Sequence, residues 1–562
     1  MKLNLKVFTI LTLAGTVALT GCSANKSGSG SSAEPTKAAK TETGAAPVNV
    51  NWFVTAGGWN PPQWSTDSGT VNGQITKKTG LTFSYNIPAQ DGDTKLSLLM
   101  VSSSEFPDVI TTVGPDMSQK LTKSGKVWKL DEFLQKYDPQ SHLLKDFPAD
   151  IKKQLVKRDG DWYAIPSHMA SDDLKKQFPA SSSYFADKAK YGDNKGIYIN
   201  TNILKQAGLS LDDLKTEDGL LTALKKVKDM NLAVNGQSVI PLQLSGKGYQ
   251  GQTLQFLERT FGAMPIDKDG KYRDILFAPE TKHAFEFLFK TAQGGYFDPG
   301  QMTMDDAAFE ANLLAGRVFC FIGNAGNGHF EKLDFWVSPG VILSNQGTKP
   351  VFAHYSEPGA GWMQTFISKT AKEPEHLAKW LDFMTSPEGM TLAHYGIEGV
   401  HYTKNDKGLI VKTDKGIQDV KDSTKTGVDI FWQFANMSYF DHMDPAPTKR
   451  EGPDGLAQME ATTAYGRAKE VVTYEGSVLT LPGEFLTPGG KNVTIKTQEE
   501  QYMLSQISKI ILAKDQASFN QFYDEFIAKL KELKVPELDA GKDVELQKKS
   551  KEMGVTVKGT NS

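Results

Sequence analysis

The chain has 562 residues, with 63 Lys and Arg against 66 Asp and Glu, a formal net charge of -3, 39% hydrophobic residues and two cysteines. Charges of both signs are interspersed throughout, without the basic stripe of a nucleic-acid binder. Two cysteines exclude a cystine framework, and a chain of this length buries a core large enough to do without one.

The amino terminus is the most specific stretch. Lys2 and Lys6 open it, and an apolar run of about thirteen residues follows from Val7 to Leu19. That is the length of a signal-peptide core and too short to span a bilayer. The run ends in Leu19-Thr20-Gly21-Cys22, which resembles the bacterial lipobox. Residues 1–21 are therefore expected to be a signal peptide. Cys22 is expected to carry lipid (diacylglycerol and palmitate) and to hold the protein on the extracytoplasmic face of the cell membrane. Cys320 then has no disulfide partner, and within Arg317-Val-Phe-Cys-Phe-Ile322 it reads as a buried strand residue. From Ser23 to Pro47 there is no aromatic residue and no Leu, Ile, Val or Met, too little apolar surface to fold. Residues 22–47 thus read as a disordered tether, reaching about 25 to 30 Å on average.

Period-two alternation in Val-Asn-Val-Asn-Trp-Phe-Val predicts a strand over 48–54. A helix ending at Gly80, a strand over 81–87, a helix over 93–102 and a short strand at 109–111 follow in β-α-β order. Such alternation implies α/β layers with mostly parallel sheets. Further helices are expected over 220–230, 253–261, 280–293, 374–384, 499–513 and 519–533, the third and sixth from the helical spacing of their apolar residues. In open parallel sheets ligands sit beyond the carboxyl ends of strands, so the loops after Val54 and Thr111 are the first places to look for a site.

Enzyme motifs are sparse. There is no Gly-x-x-x-x-Gly-Lys-Ser/Thr, no Gly-x-Ser-x-Gly and no His-Glu-x-x-His. Asp267-Lys-Asp-Gly270 has the start of a calcium loop, but the twelfth position is Ala278 where a bidentate Glu is needed, so a hairpin turn is the better reading. Paired carboxylates for glycoside hydrolysis need only a spatial separation, which leaves an exported glycan-acting hydrolase as the alternative from another class.

The middle of the chain carries a series of phrases: Glu105-Phe-Pro-Asp-Val-Ile110, Asp161-Trp-Tyr-Ala-Ile-Pro166, Gly295-Tyr-Phe-Asp-Pro299, the run from Ala308 to Val318, Ser386-Pro-Glu-Gly389, and Tyr395 to Thr403. In this order, behind a lipobox, they resemble extracellular solute-binding proteins of family 1, the sugar-binding components of ABC importers. The resemblance implies a two-lobed, periplasmic-binding-protein-like fold of type II. Lobe 1 is expected over 48–165, lobe 2 over 166–352, a return to lobe 1 over 353–430, and shared terminal helices over 431–562. It also implies capture of an oligosaccharide by hinge closure, delivery to permease subunits, and neither catalysis nor a cofactor. A surface sensor for another ligand, such as a peptide, is the other alternative. Asn200-Thr-Asn202 replaces the arginine-aspartate pair of many relatives, which weakens transfer of substrate identity.

A sugar cleft needs flat aromatics for C–H faces and amides or carboxylates for hydroxyls. Candidates are Trp59, Asn60 and Trp64 after the first strand, Thr112 and Asp116 after the third, and Trp162 and Tyr163 at the first crossing. Tyr249 and Asn324 follow second-lobe segments, and Trp362 lies at the return. Each tryptophan either stacks on ligand or packs within its lobe. Asp108 is expected to brace its strand end, and Trp432, Tyr439 and His442 form a further cluster without an assigned place.

Overall fold

The computed structural model describes residues 46–562, apart from 89–90, 103–104, 331, 359–360, 449–454 and 488. The expected leader, Cys22 and nearly all of the tether lie outside these residues.

The first lobe is built on β1 (Val48–Val54), β2 (Leu81–Asn86), β3 (Val109–Val113) and β4 (Ala164–Pro166), with β1 parallel to both β2 and β3. Alternation in β1 sends Val50, Trp52 and Val54 into one core cluster and Phe53 into another with Leu96 and Ile110, so the sheet is covered on both faces. Between β1 and β2, the helix Val71–Thr79 starts on the side chain of Thr70, which accepts from the Gly73 amide, and stops at Gly80. Asp108 braces the head of β3: its carboxylate accepts from the amides of Asn51 and Lys372, each at 2.8 Å.

Beyond β4 the chain crosses to β5 (Lys195–Asn200), which pairs with Val318–Asn324 and Trp336–Val337; Ile240–Leu244 completes this second sheet. It returns through Val351–His354, and Met363–Ile367 then inserts between β3 and β4, antiparallel to both. The sheets are thus mixed, where mostly parallel ones were expected. A βα connection delivers the chain to the amino edge of a sheet, whereas a strand arriving from the other lobe starts at the edge that faces that lobe and runs the opposite way. β5 and Met363–Ile367 are such strands. At the hinge, Val351–His354 pairs in parallel with Val472–Glu475, two segments more than a hundred residues apart.

The second lobe's core takes Phe285, Leu288 and Phe289 from the helix Pro279–Gln293, and Ile507, Phe519, Phe526 and Leu538 from the terminal helices Lys491–Ile511, Gln516–Glu532 and Val535–Met553. Cys320 is fully buried in Val318–Asn324, and burial pushes its thiol far above the usual range, so it is inert. Asp267 to Gly270 is a tight turn whose leading carboxylate accepts from the amides of Asp269 and Lys271, each at 2.9 Å. The last residues clasp the lobe: the Asn561 amide donates to the carbonyls of Gly262 and Lys349, each at 2.9 Å. Gly262 has a φ of 92°, and a Cβ there would stand 2.1 Å from the Asn561 amide nitrogen, so only glycine fits.

Candidate functional site

On the first lobe the strand ends β1, β3 and β4 and the start of Met363–Ile367 share one edge. Trp362 occupies its middle: its carbonyl accepts from the Gly114 amide at 3.1 Å, and the next residue, Met363, exchanges bonds with Ser167. Gly361 precedes it with a φ of 70°, and a Cβ there would meet the Ser167 carbonyl oxygen at 2.2 Å, so this approach also requires glycine. The Trp362 indole is 43% exposed, and its Nε1–H donates to Nδ1 of His168 at 3.0 Å. His168 therefore accepts through Nδ1. Its ring reaches solvent, yet the protein packed round it withdraws enough water to push its pKa down to about 4, which keeps the imidazole neutral. Along the same edge lie Asp91, Asp93 and Asp116, with Lys120 among them. Burial raises the Asp93 carboxyl, and bonds from Thr94 lower that of Asp91.

The facing edge of the second lobe is formed by the start of β5 and the ends of Ile240–Leu244 and Val318–Asn324. Arg259 bridges Asp193 and the Lys195 carbonyl there and lies over the Tyr465 ring at 4.6 Å. The Lys195 ammonium donates to Gln255 Oε1 at 2.7 Å, and burial lowers its pKa. Tyr355, which follows the hinge strand Val351–His354, packs beside Gly476 within electrostatic reach of Asp193 and is 60% exposed. Trp362 and Tyr355 are the two aromatic side chains with large exposure among the described residues, and both belong to the return crossing.

Four of the sequence candidates keep side-chain surface open to solvent: Asn60 and Asp116 are exposed, Asn324 is half-buried while capping its own turn through a bond from the Gly326 amide, and Trp362 is as described. The sealed ones among the others require correction as ligand contacts. Trp59 is 1% exposed, donates to the Ile430 carbonyl and packs edge-on against Tyr85. Trp162 has no exposure and lies between Phe147 and the Lys152 ammonium. Thr112 is buried against Ser118, whereas Trp64, which bonds Thr76 and packs on Phe83, and Tyr163, packed beneath the first sheet, are half-buried and also keep part of their surface open. Tyr249 is buried in the second lobe's core. In each case the apolar body is worth more inside its lobe than at a wet edge. Sequence reasoning missed Tyr355 and His168. Tyr355 lay within the return segment already singled out, whereas His168 had no signal beyond following Ile165-Pro166. Among the described residues no three His, Cys, Asp or Glu side chains are grouped to hold a metal ion, and no helix is long and apolar enough to cross a membrane.

Two α/β lobes, several strand crossings and an aromatic at the crossing are the build of a two-lobed, type II binding protein. Residues 64–391 match the family model for bacterial extracellular solute-binding proteins, and the chain belongs to that family. No match is found among curated protein sequences. Among solved structures it is similar to the ABC-transporter substrate-binding protein FusA of S. pneumoniae in complex with kestose, at 17% identity and a TM-score of 0.68, covering 90% of this chain and 100% of that one. It is also similar to a solute-binding protein associated with an HMO-binding ABC transporter from Bifidobacterium longum infantis, at 14% identity and a TM-score of 0.61, covering 89% and 99%. A third is the N-glycan transport solute-binding protein NgtS of Streptococcus pneumoniae with Man1GlcNAc, at 15% identity and a TM-score of 0.54, covering 89% and 99%.

Proposed function

We propose that this protein captures an oligosaccharide outside the cell and hands it to an ABC permease, anchored meanwhile by a lipid on Cys22. The observation that carries the reading is the pair Trp362 and Tyr355, large flat side chains left open at the lobe-to-lobe crossing in a chain that buries Trp59, Trp162, Trp336 and Trp380 almost completely. An exposed indole held by one hydrogen bond is a platform for the C–H face of a sugar. The similar proteins, with kestose or a glycan fragment bound, support the same ligand class. Closure of the second lobe would bring Asp193, Lys195 and Asn324 onto the hydroxyls and expel water. Asp91, Asp93 and Asp116 give the first-lobe rim a negative field, so the preferred glycan is neutral and uronate-rich chains are disfavoured.

The test is a thermal-shift and titration screen of purified protein against neutral fructo-, manno- and gluco-oligosaccharides, uronate oligomers and peptides. A ligand at 100 times its Kd adds about 2.7 kcal/mol of stability. Stabilisation by neutral oligosaccharides is the expected result, and response to peptides alone would refute the reading. Recovery of the bound sugar unshortened, by mass spectrometry after long incubation, separates a binding protein from a hydrolase.

A further inference from the structure

Behind His168 the first lobe holds a cavity of about 180 Å³, whose lining includes His168, Ala393, Asp429, Trp432, Ala435 and Phe440. It is well below the roughly 300 to 1,000 Å³ of pockets that take drug-sized ligands, which leaves room for a single ring. Two of its wall residues, His168 with a φ of 50° and Asp429 with a φ of 59°, take the left-handed region, which Asp and His enter more readily than most side chains. Only seven non-glycine residues have positive φ among the described residues, and two of them meet at this one cavity.

The polar groups are those a sugar hydroxyl pair needs. His168 accepts from Trp362 through Nδ1, so its own proton sits on Nε2 and is free to donate. Asp429 takes a bond from His394 on Oδ1 at 2.5 Å, and its side chain is 33% exposed, which leaves the second oxygen as an acceptor. The walls are apolar and rigid: Phe440 lies flat on the His394 ring, with centroids 3.8 Å apart and planes 13° apart. His168 also joins the cavity to the cleft, since the indole it holds is the exposed platform described above.

We infer that this cavity is a subsite for one sugar ring, next along the chain from the ring stacked on Trp362, with His168 donating to one hydroxyl and Asp429 accepting from its neighbour. The inference rests on the oligosaccharide reading. It assigns His168 two tasks, orienting the Trp362 platform with one nitrogen and reading a hydroxyl with the other.

The experiment titrates wild type, Asp429→Asn, Ala435→Leu and His168→Asn with kestose and nystose and with laminari- and malto-oligosaccharides of increasing length. Asn tolerates positive φ, so the Asp429 and His168 variants keep the backbone, while Ala435→Leu fills the cavity and leaves the Trp362 bond alone. The expected result is that Asp429→Asn and Ala435→Leu each remove the affinity gained with the added ring, about tenfold or more, and leave the ligand one ring shorter within about twofold of wild type. His168→Asn should weaken both, because it also releases Trp362. If wild type gains affinity with length and Asp429→Asn and Ala435→Leu, with unchanged melting, follow it at every length, the subsite is refuted while the oligosaccharide reading stands. If wild type binds none of these sugars, both are overturned.

Discussion

Trp362→Ala and Trp162→Ala should part company when affinity and stability are measured on the same samples. Trp362 is 43% exposed; with about 250 Å² for a whole tryptophan, that is about 100 Å² that a ligand can cover. At about 25 cal/mol per Å², complete coverage is worth about 2.5 kcal/mol. Partial coverage lowers this, so Kd should rise by about 10- to 70-fold in Trp362→Ala. The buried remainder of the indole, about 140 Å², and its bond to His168 put the stability cost at about 4 kcal/mol, so affinity is the quantity that separates the two variants. Trp162 has no exposed surface, so its truncation should cost about 3 to 5 kcal/mol of stability and leave Kd of the folded fraction unchanged. Calorimetric titration and urea unfolding supply the two numbers. Wild-type affinity in Trp362→Ala would remove the indole from the binding surface and with it the main support for a sugar ligand.

Burial pushes Glu258 up to about 8, so between about pH 4.3 and 8 the unfolded chain ionises this carboxyl while the folded one keeps its proton. Stability should therefore fall as pH rises through that window, by at most about 5 kcal/mol, and Glu258→Gln should flatten that part of the profile in urea melts; an unchanged slope would contradict it. Asp108→Ala strands the amides of Asn51 and Lys372 and should cost about 2 kcal/mol without altering Kd, since the brace lies at the opposite end of β3 from Trp362. Cys22→Ala should move the protein from the membrane fraction to the medium, and failure of the native chain to take up a labelled fatty acid would refute the anchor.

The elements nearest a periodic signal were legible: β1 matches its alternating run residue for residue, and the helices Pro279–Gln293 and Pro374–Thr385 begin at prolines one could place by eye. Lys491–Ile511 begins eight residues before its apolar period becomes visible, because its first turns carry mostly polar residues. Val535–Met553 was missed altogether. Its charged residues dominate, and Gly541 argues against a helix, yet Val535 and Leu538 dock on the second lobe's core. The site divides the same way. Composition says which side chains suit sugars, but exposure decides which of them are available, and a tryptophan's burial depends on neighbours hundreds of residues away: Trp59 is sealed by Ile430, and Trp362 is opened by its place between Gly114 and Ser167. Asn200 is a buried cap whose Oδ1 accepts from the Asn202 amide at 3.0 Å.

The clasp of Asn561 on Gly262 and Lys349 bears on the order in which the molecule is made. Its partners lie 299 and 212 residues upstream, so the clasp forms only once Asn561 itself has been made. Closing loops of that length is slow compared with local helix formation. The first lobe also waits, since Met363–Ile367 must arrive before β4 has a neighbour. A chain built this way makes its locking contacts late, after most of each lobe has been synthesised.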